Sequence, residues 1–229
     1  MSQLIDNLNL IVSIKSDIKS AIENKGVDMT GVSFPGYASK IGEISGGGGW
    51  DQKSITEKSY EIINLDNSAS FVASSAFRGN QNIQTVNLPY ATTVGNSAFQ
   101  SCSSLSQVDL PMCSYIGSYA FYRCSSLSQI SLPVCSYIDD TALGACSSLS
   151  KISLPVCSYI ESYAFGACSS LNIITIGYSS VCNLPSSNIF INTQITSSTG
   201  SIYVPTSLVD AYKSAPNWSY FSTQIFPIE

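Results

Sequence analysis

The chain is predicted to fold as a repeat solenoid of stacked, parallel β-strands, and three observations carry that prediction. A proline recurs every 22 residues, at Pro89, Pro111, Pro133 and Pro155. The same step separates Cys102, Cys124, Cys146 and Cys168, Ala98, Ala120, Ala142 and Ala164, and Leu105, Leu127, Leu149 and Leu171. Between these fixed points Val108-Asp-Leu110, Ile130-Ser-Leu132 and Ile152-Ser-Leu154 alternate apolar with polar, as short strands with one buried face do.

A shorter period competes with this one. Cys102, Cys113, Cys124, Cys135, Cys146, Cys157 and Cys168 lie 11 residues apart, a period that suits a right-handed helical supercoil. The prolines exclude that supercoil, because each would cost a helix interior about 3 kcal/mol. The shorter echo then means that every coil has two similar corners. A single coil cannot bury its own apolar face, so coils stack and share one core. The inward positions of one coil are Ile130, Leu132, Cys135, Ile138, Ala142, Leu143, Cys146 and Leu149. Equivalent strands pair in parallel at about 4.8 Å per step, and roughly five coils make a rod of about 25 Å. A weaker copy of the repeat precedes these coils, with Val72, Ala76, Phe77 and Ile83 in register, and a fading one follows, with Ile174 and Ile176 in strand positions.

The motif A-F-x-x-C-x-S-L-x-x-I-x-L-P, clearest from Ala98-Phe99 to Pro111 and from Ala120-Phe121 to Pro133, resembles the BspA-like class of leucine-rich repeats. Leu143 departs from it by replacing the aromatic residue, and the step is one residue shorter than the family's usual one. The resemblance implies a leucine-rich-repeat solenoid with a ligand-binding or adhesive role.

The organisation expected around that core is a helical module over residues 1–45, a Gly-rich linker and first strand over 46–62, the solenoid over 63–200 and a cap over 201–229. Leu4, Leu8, Ile11, Ile14, Ile18 and Ile22 fall on one helix face and are candidate oligomerisation positions. Gly26 ends that helix, and Gly46 to Gly49 form a flexible joint. Ile18 to Ile44, with its Lys-Ser-Asp-Ile-Lys-Ser-Ala-Ile and Phe-Pro-Gly-Tyr-Ala-Ser-Lys-Ile strings, resembles a small helical module of phage tail and other virion proteins. That resemblance implies an anchor on a phage particle and a homo-oligomer. In the cap, Ser201 to Pro205 is expected as the last strand. Thr206 or Ser207 would N-cap a short helix carrying Leu208, Val209 and Tyr212, while Trp218, Tyr220, Phe221 and Ile225 cover the open core. Residues 177–200 are expected as a degenerate coil or loop.

Composition narrows the function. The net charge is −5 and no basic run exists, which excludes nucleic acid as the expected partner. No stretch approaches the ~20 apolar residues of a membrane span, and Met1 to Leu10 shows neither the basic start nor the apolar run of a secretion signal. The chain has no histidine, so a histidine base is impossible, and Asp139, Asp140 and Glu161 sit at variable surface positions without a pocket signal. Gln52 stands where a phosphate-binding loop ending in Lys53-Ser54 would need glycine. Asn217-Trp-Ser219 fits a glycosylation acceptor, which matters only in a glycosylating compartment. No enzyme, metal or cofactor is expected. The eight cysteines contain no Cys-x-x-Cys pair. Stacked cysteines point the same way, which keeps their Cβ atoms too far apart for disulfides, so they are expected to be core thiols, suited to a reducing cytoplasm.

Two surfaces are candidates for ligand binding. Tyr115, Tyr137 and Tyr159 form a ladder one position before an inward isoleucine, with Tyr119 and Tyr163 at a second repeated position. Tyrosine among serines is a favoured binding chemistry; equally, stacked tyrosines could cover one another and stiffen the rod. The second surface is the strand face, with Gln107, Gln129 and Lys151 beside Asp109, Ser131 and Ser153. The expected function is a non-enzymatic bacteriophage virion protein, fibre- or tail-associated. Its N-terminal module would meet other virion proteins and its repeats a cell-surface protein or glycan. The alternative is a bacterial cell-surface adhesin of BspA-like type.

Overall fold

A computed structural model describes residues 62–64, 71–177 and 179–228. The helical module over residues 1–45, with its six candidate oligomerisation positions, and most of the linker lie outside the described residues.

The first five coils each contribute a longer and a shorter strand, and the last three contribute a longer strand alone. In chain order they are β1 Ile62–Asn64, β2 Phe71–Val72, β3 Thr85–Asn87, β4 Thr93–Val94, β5 Gln107–Asp109, β6 Tyr115–Ile116 and β7 Gln129–Ser131. There follow β8 Tyr137–Ile138, β9 Lys151–Leu154, β10 Tyr159–Ile160, β11 Ile173–Ile176, β12 Ser201–Val204 and β13 Ile225–Pro227. The short strands form one parallel sheet in the order β2, β4, β6, β8, β10. The long strands form two parallel sheets, one of β1, β3, β5, β7 and one of β9, β11, β12, β13. Register follows the sequence repeat, with Val86 opposite Val108 and Val108 opposite Ile130.

The corners explain the echo of 11 residues. Cys102 donates its N–H to the carbonyl of Phe99 at 3.1 Å and Cys113 to that of Leu110 at 3.2 Å, so each cysteine closes a tight turn. After each short strand the chain makes a run of turns with two residues in the left-handed region: Ser97 and Ser101, Tyr119 and Arg123, Thr141 and Ala145, Tyr163 and Ala167. That conformation costs a side-chain-bearing residue about 1–2 kcal/mol. It lets alternate N–H groups face the next coil, where Ser97 donates to Ser118 at 2.8 Å, Phe99 to Ala120 at 2.8 Å and Ser101 to Tyr122 at 2.7 Å. The turn wall thus forms a hydrogen-bonded ladder of its own.

Inside, Phe77, Phe99 and Phe121 stack at 5.1 and 5.3 Å between ring centres. Leu143 interrupts the stack, which resumes with Phe165 on Phe190 at 5.9 Å. Of the inward positions expected for the coil from 130 to 149, all are buried except Ile130, which is only partly so. Ala76 is exposed and Phe77 half-buried, because they stand at the start of the stack, where only one neighbouring coil follows.

Residues 179–200 make a shortened coil that still stacks: Ala167 donates to Ile191 at 2.7 Å, and Phe190 carries the aromatic position. The cap differs from expectation in three respects. The last strand is β13, which pairs with β12 and so displaces Ser201–Val204 from the end of the sheet. Helix α1, Val209–Ser214, has no side-chain N-cap; Thr206 instead uses its hydroxyl to hold the carbonyl of Ile228 at 3.2 Å. Tyr220 stays 74% exposed and covers nothing. Trp218, Phe221 and Ile225 do close the core. Trp218 Nε1 donates to the carbonyl of Cys182 at 2.6 Å, while the N–H of Cys182 donates to the hydroxyl of Tyr212 at 2.9 Å. Pro227 in the edge strand removes a donor that another chain could pair with.

Candidate ligand-binding face

The tyrosine ladder lies on β6, β8 and β10. Its rings are half-buried rather than fully outward. Tyr115 stacks on Tyr137 at 5.5 Å, and Tyr137 on Tyr159 at 4.9 Å with the rings parallel to within 1°. The hydroxyl of Tyr115 donates to Asp139 at 2.6 Å and that of Tyr137 to Glu161 at 3.2 Å. Accepting that bond, Asp139 pushes the Tyr115 phenol up to about 12. Burial, then Glu161, does the same to Tyr137. Both faces of Tyr137 and two of the hydroxyls are therefore engaged within the protein. Tyr119 and Tyr163 are exposed on the turn wall; Tyr119 packs edge-on against Tyr122 at 5.6 Å, and Tyr163 accepts a bond from Asn188 at 3.2 Å.

The thiols serve the interior. All eight are free and buried. Cys102, Cys124, Cys146 and Cys168 donate to the carbonyls of Phe77, Phe99, Phe121 and Leu143 in the preceding coil at 3.0 to 3.2 Å. Burial pushes Cys102 and Cys113 up to about 11 and raises Cys124, Cys135 and Cys146 as well, which leaves them protonated and unreactive. Among the described residues no group of three or more acidic or cysteine side chains could hold a metal ion, and no helix is long and apolar enough to cross a membrane.

The strand face is where the structure departs from its own repeat. It carries a cleft of about 490 Å³ that runs across β5, β7, β9 and β11. Gln107, Gln129 and Lys151 stand on its rim with Asp109, Ser131 and Ser153, so the second candidate surface is brought together in one place. Val108, Ile130 and Ile152 contribute its apolar part. Lys151, Gln129 and the two serines are exposed, and Asp109 is half-buried. The cleft coincides with the break between the two long-strand sheets, since β7 and β9 are not paired.

The turn wall and the short-strand sheet cross the same step unbroken. Leu143 donates to Ala164 at 2.9 Å, and Tyr137 pairs with Tyr159. Ile130, the partly buried member of its set, lies in β7 at this unpaired step. Sequence reasoning did not find this break. Its nearest mark in the repeat is Leu143, which lies between β7 and β9 and is the residue that interrupts the phenylalanine stack. A smaller hollow of about 260 Å³ lies at the cap beside Tyr220, Phe221 and Gln224.

A family model described as the BspA type leucine-rich repeat region matches the chain in six copies, over residues 51–172 and 92–215. No match is found among the curated proteins. Three solved structures are similar. A leucine-rich repeat protein from Bacteroides ovatus is 23% identical with a TM-score of 0.57, over 73% of this chain and 42% of that one. A leucine-rich cell surface protein from Faecalibacterium prausnitzii is 21% identical with a TM-score of 0.51, over 70% and 40%. A leucine-rich repeat protein from T. pallidum is 27% identical with a TM-score of 0.47, over 57% and 68%. The Bacteroides and Faecalibacterium proteins share the fold, and this chain spans about two fifths of their length.

Proposed function

Because the chain belongs to the BspA-type leucine-rich-repeat family, we propose that it is a non-enzymatic binding protein of the cell-surface adhesin kind. It takes its ligand on the strand face, at the cleft that crosses β5, β7, β9 and β11. The observation that carries this reading is the cleft itself: a polar rim with one exposed cation, Lys151, around an apolar floor, on a rigid repeat scaffold. Binding sites combine those features, a few placed polar groups over apolar surface. The bacteriophage reading draws on residues 18–44, which lie outside the described residues and outside the family match, so the adhesin reading comes first. The tyrosine ladder is proposed as a structural spine, because its ring faces lie against one another and its hydroxyls hold carboxylates.

The test is binding of the full chain to a panel of purified host extracellular proteins and glycans. Gln129→Ala with Lys151→Glu is expected to weaken binding at least about tenfold, as loss of a central contact does. Tyr119→Ala with Tyr163→Ala is expected to change it less than about twofold. The reverse ranking moves the site to the turn wall.

A further inference from the structure

The smaller hollow, of about 260 Å³, lies where the shortened coil meets the cap. The helical turns Ser187–Phe190 and Ser219–Gln224 contribute to it, with turn residues of the shortened coil between them. Its floor is apolar, since Ile195 and Phe221 are buried there. Phe221 is braced edge-on against Phe190 at 5.3 Å between ring centres. The turn beside it is tied down. The hydroxyl of Thr196 donates to the carbonyl of Thr193 at 2.9 Å, and that of Thr193 to the carbonyl of Phe190 at 2.7 Å.

Two side chains of the hollow do not behave as parts of a closing cap. Tyr220 borders it and stays 74% exposed, beside a phenylalanine that is buried. Gln224 is only 7% exposed, and its side-chain oxygen is buried with no hydrogen-bond partner among the described residues. A buried acceptor is costly unless a donor reaches it. Ser187 and Ser198 add hydroxyls to the lining, and among the described residues no charged side chain joins them.

These groups select the chemistry of an occupant. An ion finds no opposite charge there, and burying it unpaired is unfavourable. A purely apolar ligand would cover the amide of Gln224 without supplying a donor. The matching ligand is neutral, carries hydroxyl donors and has an apolar face for the ring of Tyr220. A sugar ring has all three properties. Its hydroxyls radiate outward, and its carbon-bound hydrogens form a face that packs on the electron-rich face of an aromatic ring. The terminal torsion of glutamine is broad, so the amide of Gln224 can turn its oxygen toward a hydroxyl in the hollow. Size agrees as well. Sites for drug-sized ligands run from about 300 to 1,000 Å³, so this hollow suits one ring rather than a chain.

We infer that the hollow between the shortened coil and the cap is a saccharide subsite. One neutral sugar ring lies against Tyr220, above Ile195 and Phe221, and donates a hydroxyl to Gln224. The subsite is separate from the strand face and does not depend on it.

The experiment titrates the full chain with neutral monosaccharides, glucuronic acid and glucosamine, followed by saturation-transfer NMR. At least one neutral sugar is expected to bind at millimolar concentration, with the two charged sugars weaker by about tenfold or more. Tyr220→Ala is expected to weaken binding about tenfold or more and, because the side chain is exposed, to leave the thermal midpoint in place. Gln224→Met keeps the shape and removes the oxygen. It is expected to weaken binding about tenfold or more while the midpoint of the free protein holds or rises, since an unpaired buried acceptor has gone. Gln129→Ala with Lys151→Glu is expected to leave sugar binding within about twofold. The inference is overturned if no neutral sugar binds, if charged sugars bind equally well, or if Tyr220→Ala binds sugar as the unaltered protein does. It is equally overturned if Gln224→Met lowers the midpoint, which is the mark of a glutamine with a purely structural role, or if the strand-face pair of substitutions abolishes sugar binding.

Discussion

Between β8 and β10 the chain passes from one coil to the next with its strands paired and Tyr137 lying 4.9 Å from Tyr159. Between β7 and β9, in the same two coils, the strands lie side by side without ladder pairing, and a cleft of about 490 Å³ crosses this part of the face. The outward residues of the two walls also differ. On the short-strand sheet they are aromatic, stack in register and hold carboxylates through their hydroxyls, and such cross-strand pairs contribute roughly 0.2–1 kcal/mol each. On the long-strand sheet the corresponding residues are Gln129 and Lys151 with Ser131 and Ser153, which make no comparable pair. A solenoid is approximately a sum of nearest-neighbour interfaces, so one step can open on one wall while the opposite wall holds.

The largest expected effect removes the comparison altogether. Thiols line both corners of the coils from Cys102 to Cys157. Cys102 and Cys113 ionise near 9 in the ordinary case and near 11 in the fold. Between those values the unfolded chain has shed protons that the native chain still binds, so stability is full below about pH 9 and is lost as pH rises toward 11. The loss is on the order of 2–3 kcal/mol for each of these two thiols. Urea unfolding followed at increasing pH measures it, and a stability that stays flat to pH 11 would show that the thiols are not held protonated by burial.

Removing the spine's core comes next. Phe121→Ala empties a fully buried position in the stack and is expected to cost about 3–5 kcal/mol in urea unfolding. On the short-strand wall, Tyr137→Ala loses both stacking contacts and should cost about 1–2 kcal/mol, whereas Tyr137→Phe keeps the stack and loses only the bond to Glu161, for about 0.5 kcal/mol. The smallest effect belongs to the strand face: Lys151→Ala should move stability by less than about 0.5 kcal/mol while weakening ligand binding. A Lys151 variant that destabilised the fold as much as Tyr137→Ala would erase the contrast between the walls.

Much of this fold is legible in the sequence, because a repeat states each packing decision several times. The buried sets at Ala98, Ala120, Ala142 and Ala164 and at Leu105, Leu127, Leu149 and Leu171 all lie in the core. What the sequence conceals is the break. Ile130 and Ile152 are followed by the same Ser-Leu-Pro-Val-Cys run, and a short strand's pattern says which side faces inward but not whether the next strand closes upon it. The end of the solenoid was also hidden. Ser201–Val204 looks final because Pro205 follows it, yet Ile225–Pro227 returns to pair beyond it, a long-range contact with no local signal. Tyr220 and Phe221 are adjacent aromatics, and only the turn geometry decides that one is buried and the other exposed. Of the two candidate surfaces, the strand face becomes a cleft and the ladder a spine. That outcome depends on ring faces meeting one another, which spacing alone permits but does not require.

The most direct test of the open step is amide exchange in the free, full-length protein, comparing Leu132 and Lys151 with their equivalents Leu110 and Gln129. Leu110 and Gln129 donate to Ser131 and Ser106 in the neighbouring coils, whereas the amides of Leu132 and Lys151 make no equivalent bond. The account predicts that Leu132 and Lys151 exchange at least about a hundredfold faster than their equivalents. Equal protection at all four amides would mean that β7 and β9 are joined in solution, and would contradict it.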